Sequence, residues 1–530
     1  MRKPIILTLT AAVALALLLA PAAALAQKYG GVLRAITSRN PGHLALHESN
    51  SAGEVWVVAP MYNNLVWFDT FQPRESFDTL QPELAESWAW NADGTALTFK
   101  LRRGVKWHDG TPFTSKDVKF TWDVIRGASK TRIRLNPRKL WYFNVTDITT
   151  NGDYEVTFHL KRRQRSLLMM LAAGYEPVYP AHIDPNRLRT EVMGTGPFKL
   201  QEYKPDQRLV LVKNQDYFKK GRPYLDGITY SVIRKNAGRV GALVANQVDL
   251  GALITTPKPV YDSMKGAKEG LTFLRRLTNT TVNILFNTGK PPYDNPRLRE
   301  AISLAMDRQS LIKTVFGGDA VPGGAMIPAP EGRWGLTPEQ LKQLPGYGDP
   351  AANKAKARKM LAELGYNAQN PLKMEVKTAN RKFYVDPAVW AIGELEKVGV
   401  KAELVQVEAG TWSATRARKD FLFAMNATAV GIDDPDAVLY ENYKCGSQRN
   451  YGDYCNPAME KLYDEQSMET DTEKRRKLVQ QIDMRIQKDG VRPMLVYRID
   501  YYPHYDYVKN YIPHQSIYNA FRMEEVWLDK

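Results

Sequence analysis

Residues 104–125, GVKWHDGTPFTSKDVKFTWDVI, form the stretch from which the fold of the surrounding chain is predicted. Just before it, Leu97, Phe99 and Leu101 alternate with polar residues, a pattern typical of a half-buried strand. The Asp-Gly-Thr-Pro sequence at residues 109–112 predicts a tight turn that ends this strand.

A helix is predicted to follow the turn. Thr114 is a helix-capping residue type, and Asp117 three residues later suits the positive N-terminal end of a helix. Val118, Trp122 and Ile125 recur at the spacing of one helix face. The whole stretch is therefore predicted as a strand, an aromatic-rich turn and an amphipathic helix.

The N-terminus predicts export. A short positive region at residues 2–3 precedes an apolar run over residues 5–20, and the small residues at 24–26 form a cleavage pattern. Cleavage after Ala26 would leave Gln27 as the first mature residue. A membrane anchor needs about 20 apolar residues and usually has no cleavage pattern. No cysteine directly follows the apolar run, which argues against a lipid anchor, so we expect a soluble, exported protein.

The composition is that of an ordinary globular protein with several domains. A chain of 530 residues predicts two or three domains, and 44% hydrophobic with 25% charged residues is typical of globular chains. The net charge of +16 is dispersed, and its densest basic run, residues 161–165, is short. Without zinc spacing or an RNA-binding aromatic motif, we predict no nucleic-acid partner. A basic surface suits anionic ligands or an anionic membrane surface, and solubility alone would explain it equally well.

Further patterns predict how the chain is organised. Clean alternation over residues 154–160 adds a strand to the region 72–189, which we interpret as a self-contained insertion of strands and short helices. Strand patterns at residues 372–376 and 402–407 lie on either side of a helix pattern that ends near residues 398–399. A strand–helix–strand unit of this kind favours a mixed or parallel sheet.

The stretch at residues 104–125 closely resembles the signature of the family 5 extracytoplasmic solute-binding proteins, the receptors of peptide, opine and nickel ABC transporters. Three other blocks resemble the same family: residues 28–36 (KYGGVLRAI), 193–198 (MGTGPF) and 214–230 (NQDYFKKGRPYLDGITY). The resemblance extends over essentially the whole mature chain, residues 27–530.

The resemblance implies a two-lobed periplasmic-binding-protein clamshell of α/β class, type II-like, with mixed sheets and an extra inserted α+β domain. Its ligand would bind in the cleft between the lobes, which closes by a hinge motion. The predicted division is a signal peptide at 1–26, lobe I at 27–71, 190–285 and 496–530, an inserted domain at 72–189, and lobe II at 286–495.

Cys445 and Cys455 predict a disulfide bond. They are close in sequence and have Gly446 and Gly452 between them for tight turning. In an oxidising compartment a bond is favoured over two free thiols, which stay the alternative. Two cysteines alone do not complete a zinc site.

No catalytic set emerges from the spacing of reactive residues. The sequence contains no serine nucleophile elbow, zinc-protease helix or phosphate loop. His108 and Asp109 are adjacent but have no third partner nearby in sequence. We therefore predict a binding protein rather than an enzyme, with no cofactor and no metal.

The loop at residues 427–436, ATAVGIDDPD, bears on the ligand. In dipeptide- and oligopeptide-binding members, an Asp in the corresponding loop captures the peptide ammonium, and Gly431 takes its place here. A buried ammonium without a charge partner loses several kcal/mol. Asp433 could substitute from a shifted position, and Thr428 is a further ligand candidate in this loop.

Two other residues of the second lobe are ligand candidates. Arg381 falls near the place where dipeptide binders hold the ligand carboxylate, and a guanidinium offers bidentate geometry for it. Trp412 lies where the family often lines its cleft, and its ring could stack on a sugar or a ligand backbone. A surface role for Arg381 and a core role for Trp412 fit their sequence positions equally well.

Candidates in the first lobe follow from strand ends, where loops commonly face a cleft. They are Glu48, Ser49 and Asn50 after the first strand, and Asn279 and Thr280 at the crossing strand.

The predicted function is that of the periplasmic substrate-binding component of an ABC importer. It would bind a peptide or similar small organic solute in the cleft, act as a monomer and deliver the ligand to a permease in the inner membrane. An oligosaccharide or an opine-like organic anion is the alternative ligand. A secreted hydrolase or a periplasmic chaperone on the same fold is the alternative class.

Overall fold

The computed structural model describes residues 27–49, 51–251, 256–408, 410–519 and 521–530. The predicted signal peptide, its cleavage after Ala26 and the ligand candidate Asn50 lie outside these residues. Among the residues that are described, no helix combines the length and the apolar character needed to cross a bilayer.

The described chain alternates between strands and helices. In chain order the strands are β1 (Val32–Thr37), β2 (Val66–Phe68), β3 (Leu80–Pro82), β4 (Ala85–Trp90), β5 (Ala96–Leu101), β6 (Val145–Thr150), β7 (Glu155–Leu160), β8 (Phe198–Lys204), β9 (Arg208–Lys213), β10 (Gly227–Val232), β11 (Leu271–Phe286), β12 (Ala320–Val321), β13 (Lys373–Ala379), β14 (Lys401–Val407), β15 (Phe423–Ala429), β16 (Met494–Tyr505), β17 (Val508–Lys509) and β18 (Trp527–Leu528).

The α-helices, numbered in the same way, are α1 (Ala52–Val58), α2 (Ser115–Arg126), α3 (Ser166–Leu171), α4 (Asn236–Val244), α5 (Lys258–Met264), α6 (Pro296–Ala305), α7 (Arg308–Val315), α8 (Pro338–Leu341), α9 (Pro350–Glu363), α10 (Lys382–Glu396), α11 (Trp412–Ala417), α12 (Pro435–Asn442), α13 (Pro457–Met468) and α14 (Thr472–Lys488). Short 3-10 helices cover Leu46–Glu48, Ala59–Met61, Phe77–Thr79, Lys139–Tyr142 and Arg187–Arg189.

The stretch at residues 104–125 folds as its sequence predicts, with β5, a turn and helix α2 in succession. Thr114 and Asp117 form a capping box, in which the Asp117 carboxylate accepts a hydrogen bond of 2.8 Å from the Thr114 backbone N–H. Val118 and Trp122 are buried in the core beneath the antiparallel sheet of order β4-β5-β7-β6. Local capping and alternation therefore account for this α+β unit.

A second sheet contains the first strand of the described chain. Its order is β1-β10-β9-β8, with β1 parallel to β10 and the other pairs antiparallel. Leu33 and Ala35 of β1 pack into one core with Trp56 of α1 and Tyr230 of β10.

The largest sheet is mixed, as the strand–helix–strand pattern predicts. Its order is β12-β16-β11-β15-β13-β14, with β13 parallel to both β14 and β15 and β11 antiparallel to β15 and β16. Helix α10 connects the parallel strands β13 and β14, and its Ala388, Ala391 and Leu395 are buried in the same core as Val376 of β13. The predicted α/β class with mixed sheets is confirmed.

Long strands join the two α/β sheets. β11 pairs with β16 from Leu271 to Asn283, and the register shifts between Leu277 and Thr281. Leu250 bridges Ala35 of β1 and His504 of β16, so the β1 sheet continues into the largest sheet. These connections suit two lobes around a hinge, and the lobe boundaries given above stay a prediction.

The disulfide predicted from the sequence is confirmed. Cys445 and Cys455 are bonded and close a short loop after α12. This loop contains Arg449 and Tyr451, which the next section places in the candidate site.

Candidate functional site

The two faces of the largest sheet differ in character. On one face Val282, Ile284 and Phe286 of β11 pack under the helices in an apolar core. Because strand side chains alternate between faces, Thr281 and Asn283 point the opposite way. Asn426 and Thr428 of β15 are their hydrogen-bonded neighbours, and we call these four residues (Thr281, Asn283, Asn426, Thr428) the polar row.

The polar row is a connected set of buried hydrogen bonds. The Asn283 side-chain amide donates to the hydroxyl oxygens of Thr281 at 2.8 Å and of Thr428 at 3.2 Å. The Asn426 amide donates to Asn283 Oδ1 at 3.2 Å and to the Thr428 hydroxyl oxygen at 3.0 Å. All four side chains are buried, and their mutual bonds satisfy most of their polar atoms. The row thus forms a rigid polar surface inside the protein.

Arg416 of α11 lies over the polar row. Its Nη1 donates to Asn426 Oδ1 at 2.9 Å, and its guanidinium carbon lies 5.4 Å from the Trp412 ring centre and 4.9 Å from that of Tyr451. These rings orient the guanidinium through cation–π contacts. Within the described residues, Arg416 Nε and Trp412 Nε1 are buried and have no hydrogen-bond partner.

Arg449 and Arg492 lie beside Arg416, and we call the three residues the arginine cluster. Arg449 Nη1 pairs with the Glu441 carboxylate, and its Nη2 donates to the Ala429 carbonyl at 3.2 Å. Arg492 Nη2 donates to the Arg449 carbonyl at 3.1 Å. Burial lowers the pKa of Arg492, to which the charges of Arg449 and Arg416 also contribute. Burial raises the pKa of Glu441 even though Arg449 acts against the shift.

A second buried network faces the arginine cluster. Arg138 Nε lies 3.0 Å from Glu176 Oε1, the Tyr142 hydroxyl donates to Glu176 Oε2 at 2.8 Å, and His47 Nδ1 lies 3.3 Å from the same oxygen. The Arg138 guanidinium carbon is 3.9 Å from the Tyr175 ring centre. We call these five residues the Glu176 wall.

Electrostatic contacts show that the wall and the cluster are neighbours. The charge of Arg449 acts on the pKa of Tyr175, and the charges of Arg138 and Glu176 act on that of Glu441. Burial would raise the pKa of Glu176, but contacts with His47 and Arg138 lower it overall. Tyr175 also packs beside Gly431, two residues after the Ala429 carbonyl that binds Arg449, so polar side chains at the end of β15 and within residues 138–176 lie close together.

Gly431 lies where these two sides meet. A Cβ atom built on Gly431 would be 3.1 Å from the Trp141 ring, 3.5 Å from Ala173 Cβ and 3.8 Å from the Tyr175 ring. The Gly431 carbonyl accepts hydrogen bonds from Ser516 Oγ at 2.8 Å and from Asn519 Nδ2 at 3.1 Å. Aromatic packing therefore occupies the space that a carboxylate at position 431 would need.

The other loop candidates have partners of their own. The Asp433 carboxylate accepts the Arg333 backbone N–H at 3.4 Å. Burial, together with the charges of Glu75 and Asp434, raises the pKa of Asp433 to about 7. Thr428 belongs to the polar row described above. Asp433 thus faces the loop at Arg333, which leaves its role as a substitute for the missing Asp a prediction.

The crossing-strand candidates contact the Gly431 loop. The Asn279 side-chain amide donates to the Val430 carbonyl, and the Thr280 hydroxyl is buried without a partner in the part of the chain that the structure describes. Asn279 Oδ1 also accepts the Ile517 backbone N–H at 3.4 Å. Asn279 and Thr280 therefore lie beside the Gly431 loop, and their contact with a ligand stays a prediction.

Arg381 and Trp412 have different environments. Arg381 precedes α10 and is exposed, and desolvation and the charge of Arg39 lower its pKa. Arg239 likewise has a lowered pKa from burial and from the charge of Arg381. The contact of Arg381 with a ligand stays a prediction. Trp412 is 2% exposed and packs in a small core with Tyr451, so its ring supports Arg416.

The candidates after the first strand are engaged inside the protein. The buried Glu48 carboxylate pairs with Arg189 and accepts the Leu135 backbone N–H at 3.2 Å. The Ser49 hydroxyl donates to the Glu54 carboxylate. These contacts give Glu48 and Ser49 a structural role inside the protein, and their contact with a ligand stays a prediction.

One surface arrangement has the residue types of a catalytic relay. His182 Nε2 lies 2.8 Å from Asp109 Oδ2 and 3.2 Å from the Thr111 hydroxyl. A relay of the Ser-His-Asp kind uses the two different nitrogens of the imidazole, whereas here one nitrogen faces both partners. His108, the sequence neighbour of Asp109, is directed to the Gly196 carbonyl at 3.1 Å, and burial lowers its pKa to about 4. Among the described residues, no group of three or more His, Cys, Asp or Glu side chains could hold a metal ion.

The arginine cluster and most of the polar row were not predicted from the sequence. Asn283 and Asn426 did carry a signal, since each is an amide directly between two apolar residues of a strand and such a side chain needs buried partners. Arg416 and Arg449 gave no comparable signal, because they come together only through the tertiary fold.

Comparison with known proteins places this geometry among solute-binding proteins. The chain is 28% identical over 476 residues to the oligopeptide-binding protein AppA of Bacillus subtilis, covering 84% of this chain and 83% of that protein. The structure of AppA with a nonapeptide has a TM-score of 0.81 at 25% identity, and covers 95% of this chain and 100% of AppA. The structure of AgaA from A. tumefaciens R10 with agropinic acid has a TM-score of 0.79 at 25% identity, covering 94% of this chain and 99% of AgaA.

The model of one protein family matches residues 79–450, which is more than half of the chain. That family is described as bacterial extracellular solute-binding proteins, family 5, and its match confirms the resemblance found in the signature at residues 104–125. The chain belongs to the family 5 bacterial extracellular solute-binding proteins.

Proposed function

We propose that this protein is the periplasmic substrate-binding component of an ABC importer. It binds a peptide or a similar small organic solute between the polar row and the Glu176 wall. It then delivers the solute, as a monomer and without a cofactor, to a permease in the inner membrane. The names of similar proteins support this proposal, since AppA is an oligopeptide-binding protein and a dipeptide-binding protein of Escherichia coli strain K12 is 25% identical over 483 residues.

The single observation that carries the proposal is unused hydrogen-bonding capacity in a buried polar region. Arg416 Nε, Arg449 Nε, Glu441 Oε2 and Arg138 Nη1 are all buried without a partner among the described residues. Each buried donor or acceptor that makes no hydrogen bond costs about 1–3 kcal/mol of stability. A solute between the arginine cluster and the Glu176 wall would meet these atoms and supply their missing hydrogen bonds.

The class of solute is the open part of this proposal. The names of the similar proteins favour a peptide as the solute, but Gly431 supplies no carboxylate for a peptide ammonium. An opine-like organic anion is the second candidate, supported by the likeness to AgaA, which was solved with agropinic acid. An oligosaccharide is a third.

Export is part of the same proposal. A signal peptide over residues 1–26, cleaved after Ala26, would deliver the chain to the periplasm, where Cys445 and Cys455 oxidise. N-terminal sequencing of the protein from a periplasmic extract should begin at Gln27.

Native mass spectrometry of the protein purified from its own periplasm tests the binding function. We expect a small molecule that leaves when the protein is denatured, and we expect its mass to fall in the range of a short peptide or organic acid. Absence of any bound mass, together with hydrolysis of model esters or peptides by the pure protein, would instead favour the enzyme alternative.

A further inference from the structure

We propose that Arg416 and Arg449 form a subsite for an anionic group of the solute, with a carboxylate as the preferred group. The subsite rests on the proposed function and names its ligand class: an organic acid without the need for a free ammonium. Asn283, Asn426 and Thr428 of the polar row lie beneath it.

Charge balance is the first support. The three residues of the arginine cluster are buried, with exposures of 8% for Arg416, 5% for Arg449 and 2% for Arg492. Glu441 pairs with Arg449, and no described acidic side chain forms an ion pair with Arg416 or Arg492. Buried charges are normally paired, so the cluster carries positive charge that an anion would balance.

Buried N–H donors without a hydrogen-bond partner are the second observation that supports the subsite. Arg416 Nε and Arg449 Nε are N–H donors of side chains that are more than nine-tenths buried, and Trp412 Nε1 adds a third donor nearby. None of the three has a partner among the described residues. Guanidinium groups hold carboxylates through paired N–H donors, and such charge-assisted bonds are about twice as strong as neutral ones.

Preorganisation is the third support. Arg416 is fixed between the Trp412 and Tyr451 rings and by the Asn426 oxygen, while the disulfide loop and the Ala429 carbonyl fix Arg449. Holding the donors in place before binding lowers the entropy cost of capturing the anion.

Glu441 refines the ligand class further. Its Oε2 is buried and unpartnered in the described chain, although its charge is compensated by Arg449. This oxygen can accept one hydrogen bond, so the fitting solute carries an N–H or O–H donor close to its carboxylate. Hydroxy acids and N-acylated amino acids have that chemistry.

The test compares Arg416→Gln with Arg418→Gln, a matched control at an exposed arginine close by in sequence. Native mass spectrometry of the full chain purified from the same host gives the occupancy of the co-purified molecule. Methyl esterification of the released molecule then counts its carboxylates. Melting temperature and near-ultraviolet circular dichroism check that each variant is folded, and Arg416→Lys keeps the charge if the Gln variant is unstable.

We expect a released molecule with at least one carboxylate, at wild-type occupancy in Arg418→Gln. We expect at least a tenfold weaker affinity in Arg416→Gln and an intermediate loss in Arg416→Lys. As defined probes, pools of N-acetylated tripeptides with a free C-terminal carboxylate should raise the melting temperature, and the same pools as C-terminal amides should not.

Three results would overturn the subsite. A released molecule without an acidic group, or equal occupancy in Arg416→Gln and wild type, would reject it while leaving the proposed binding function intact. Absence of any co-purified molecule, together with no melting shift from either peptide pool or from the neutral probe maltotriose, would reject the binding function and the subsite with it.

Discussion

Two buried arginine-containing regions lie against one another in this molecule, and they differ in how their charges are balanced. In the Glu176 wall, Arg138 meets the carboxylate of Glu176, which also contacts Tyr142 and His47. In the arginine cluster, Glu441 is the acidic partner of Arg449, and the described chain offers no carboxylate to Arg416 or Arg492. Both regions are almost completely buried, so depth does not explain the difference.

The difference separates a structural role from a binding role. The Glu176 wall pairs its charges, and Arg138 Nη1 and the Tyr175 hydroxyl are its buried groups without a partner among the described residues. The arginine cluster has N–H donors without partners and a net positive charge that no described carboxylate balances. A region that only holds the fold gains nothing from uncompensated charge, because desolvating an ion costs several kcal/mol. We therefore assign stability to the wall and solute recognition to the cluster, and the predictions below test that division.

The largest expected effect is on the Glu176 wall. Glu176→Gln leaves the Arg138 guanidinium buried without its charge partner, which should lower the free energy of unfolding by about 3–5 kcal/mol. Urea titration at pH 7 measures the loss. Because contacts with His47 and Arg138 lower the pKa of Glu176, the wild-type contribution is present above about pH 4.5 and is lost as the pH falls.

The control for this variant is Glu191→Gln, which breaks the exposed pair of Glu191 with Arg187. Exposed pairs contribute little, so the control should change the free energy of unfolding by about 0.5 kcal/mol or less. A Glu176→Gln loss as small as that of the control would mean that the wall is not a stabilising element, and the division of roles would fail.

The disulfide loop gives the next prediction. Replacing Cys445 and Cys455 with Ser removes a short-loop crosslink, which should lower the free energy of unfolding by up to about 3 kcal/mol. Because Arg449 and Tyr451 lie within the loop, affinity for the N-acetylated tripeptide pool should fall as well. Urea titration measures the free energy of unfolding, and titration calorimetry measures the affinity for the peptide pool.

Dithiothreitol supplies the control for the disulfide. It should reproduce both losses in the wild type and change nothing in the double Ser variant. Lower stability with unchanged affinity would show that the loop positions Arg449 without the bond, through contacts such as that of Arg492 with the Arg449 carbonyl.

The sequence predicted the parts of the fold that depend on neighbouring residues. The helix start at Thr114 and Asp117 follows from local chemistry, and the structure confirms it as a capping box. The strand–helix–strand unit around α10 was predictable for the same reason.

The site could be predicted only in part, because it depends on distant segments. The family resemblance predicted Gly431 at the place of an ammonium-binding Asp, but the packing of Gly431 against Trp141 depends on the tertiary fold. Arg416 meets Asn283 through Asn426, and that contact depends on the pairing of β11 with β15, which no local pattern specifies. Unused hydrogen-bonding capacity is likewise a property of the folded chain.

The smallest expected effect concerns Asp433, which lies with Gly431 in the loop at residues 427–436. Its raised pKa of about 7 means that the folded state holds a proton that the unfolded state releases near pH 4. Stability contributed by the protonated form is therefore lost as the pH rises from about 4 to about 7.

The Asp433→Asn variant should not show this loss. At pH 8 its free energy of unfolding should be higher than that of the wild type by about 1–2 kcal/mol, which is less than the full pKa shift implies because the side chain is partly exposed. Urea titrations of both proteins at pH 4, 6 and 8 measure the difference, which should grow over this range. A constant difference would mean that Asp433 is ionised throughout and is available, after all, to a cationic group of the solute.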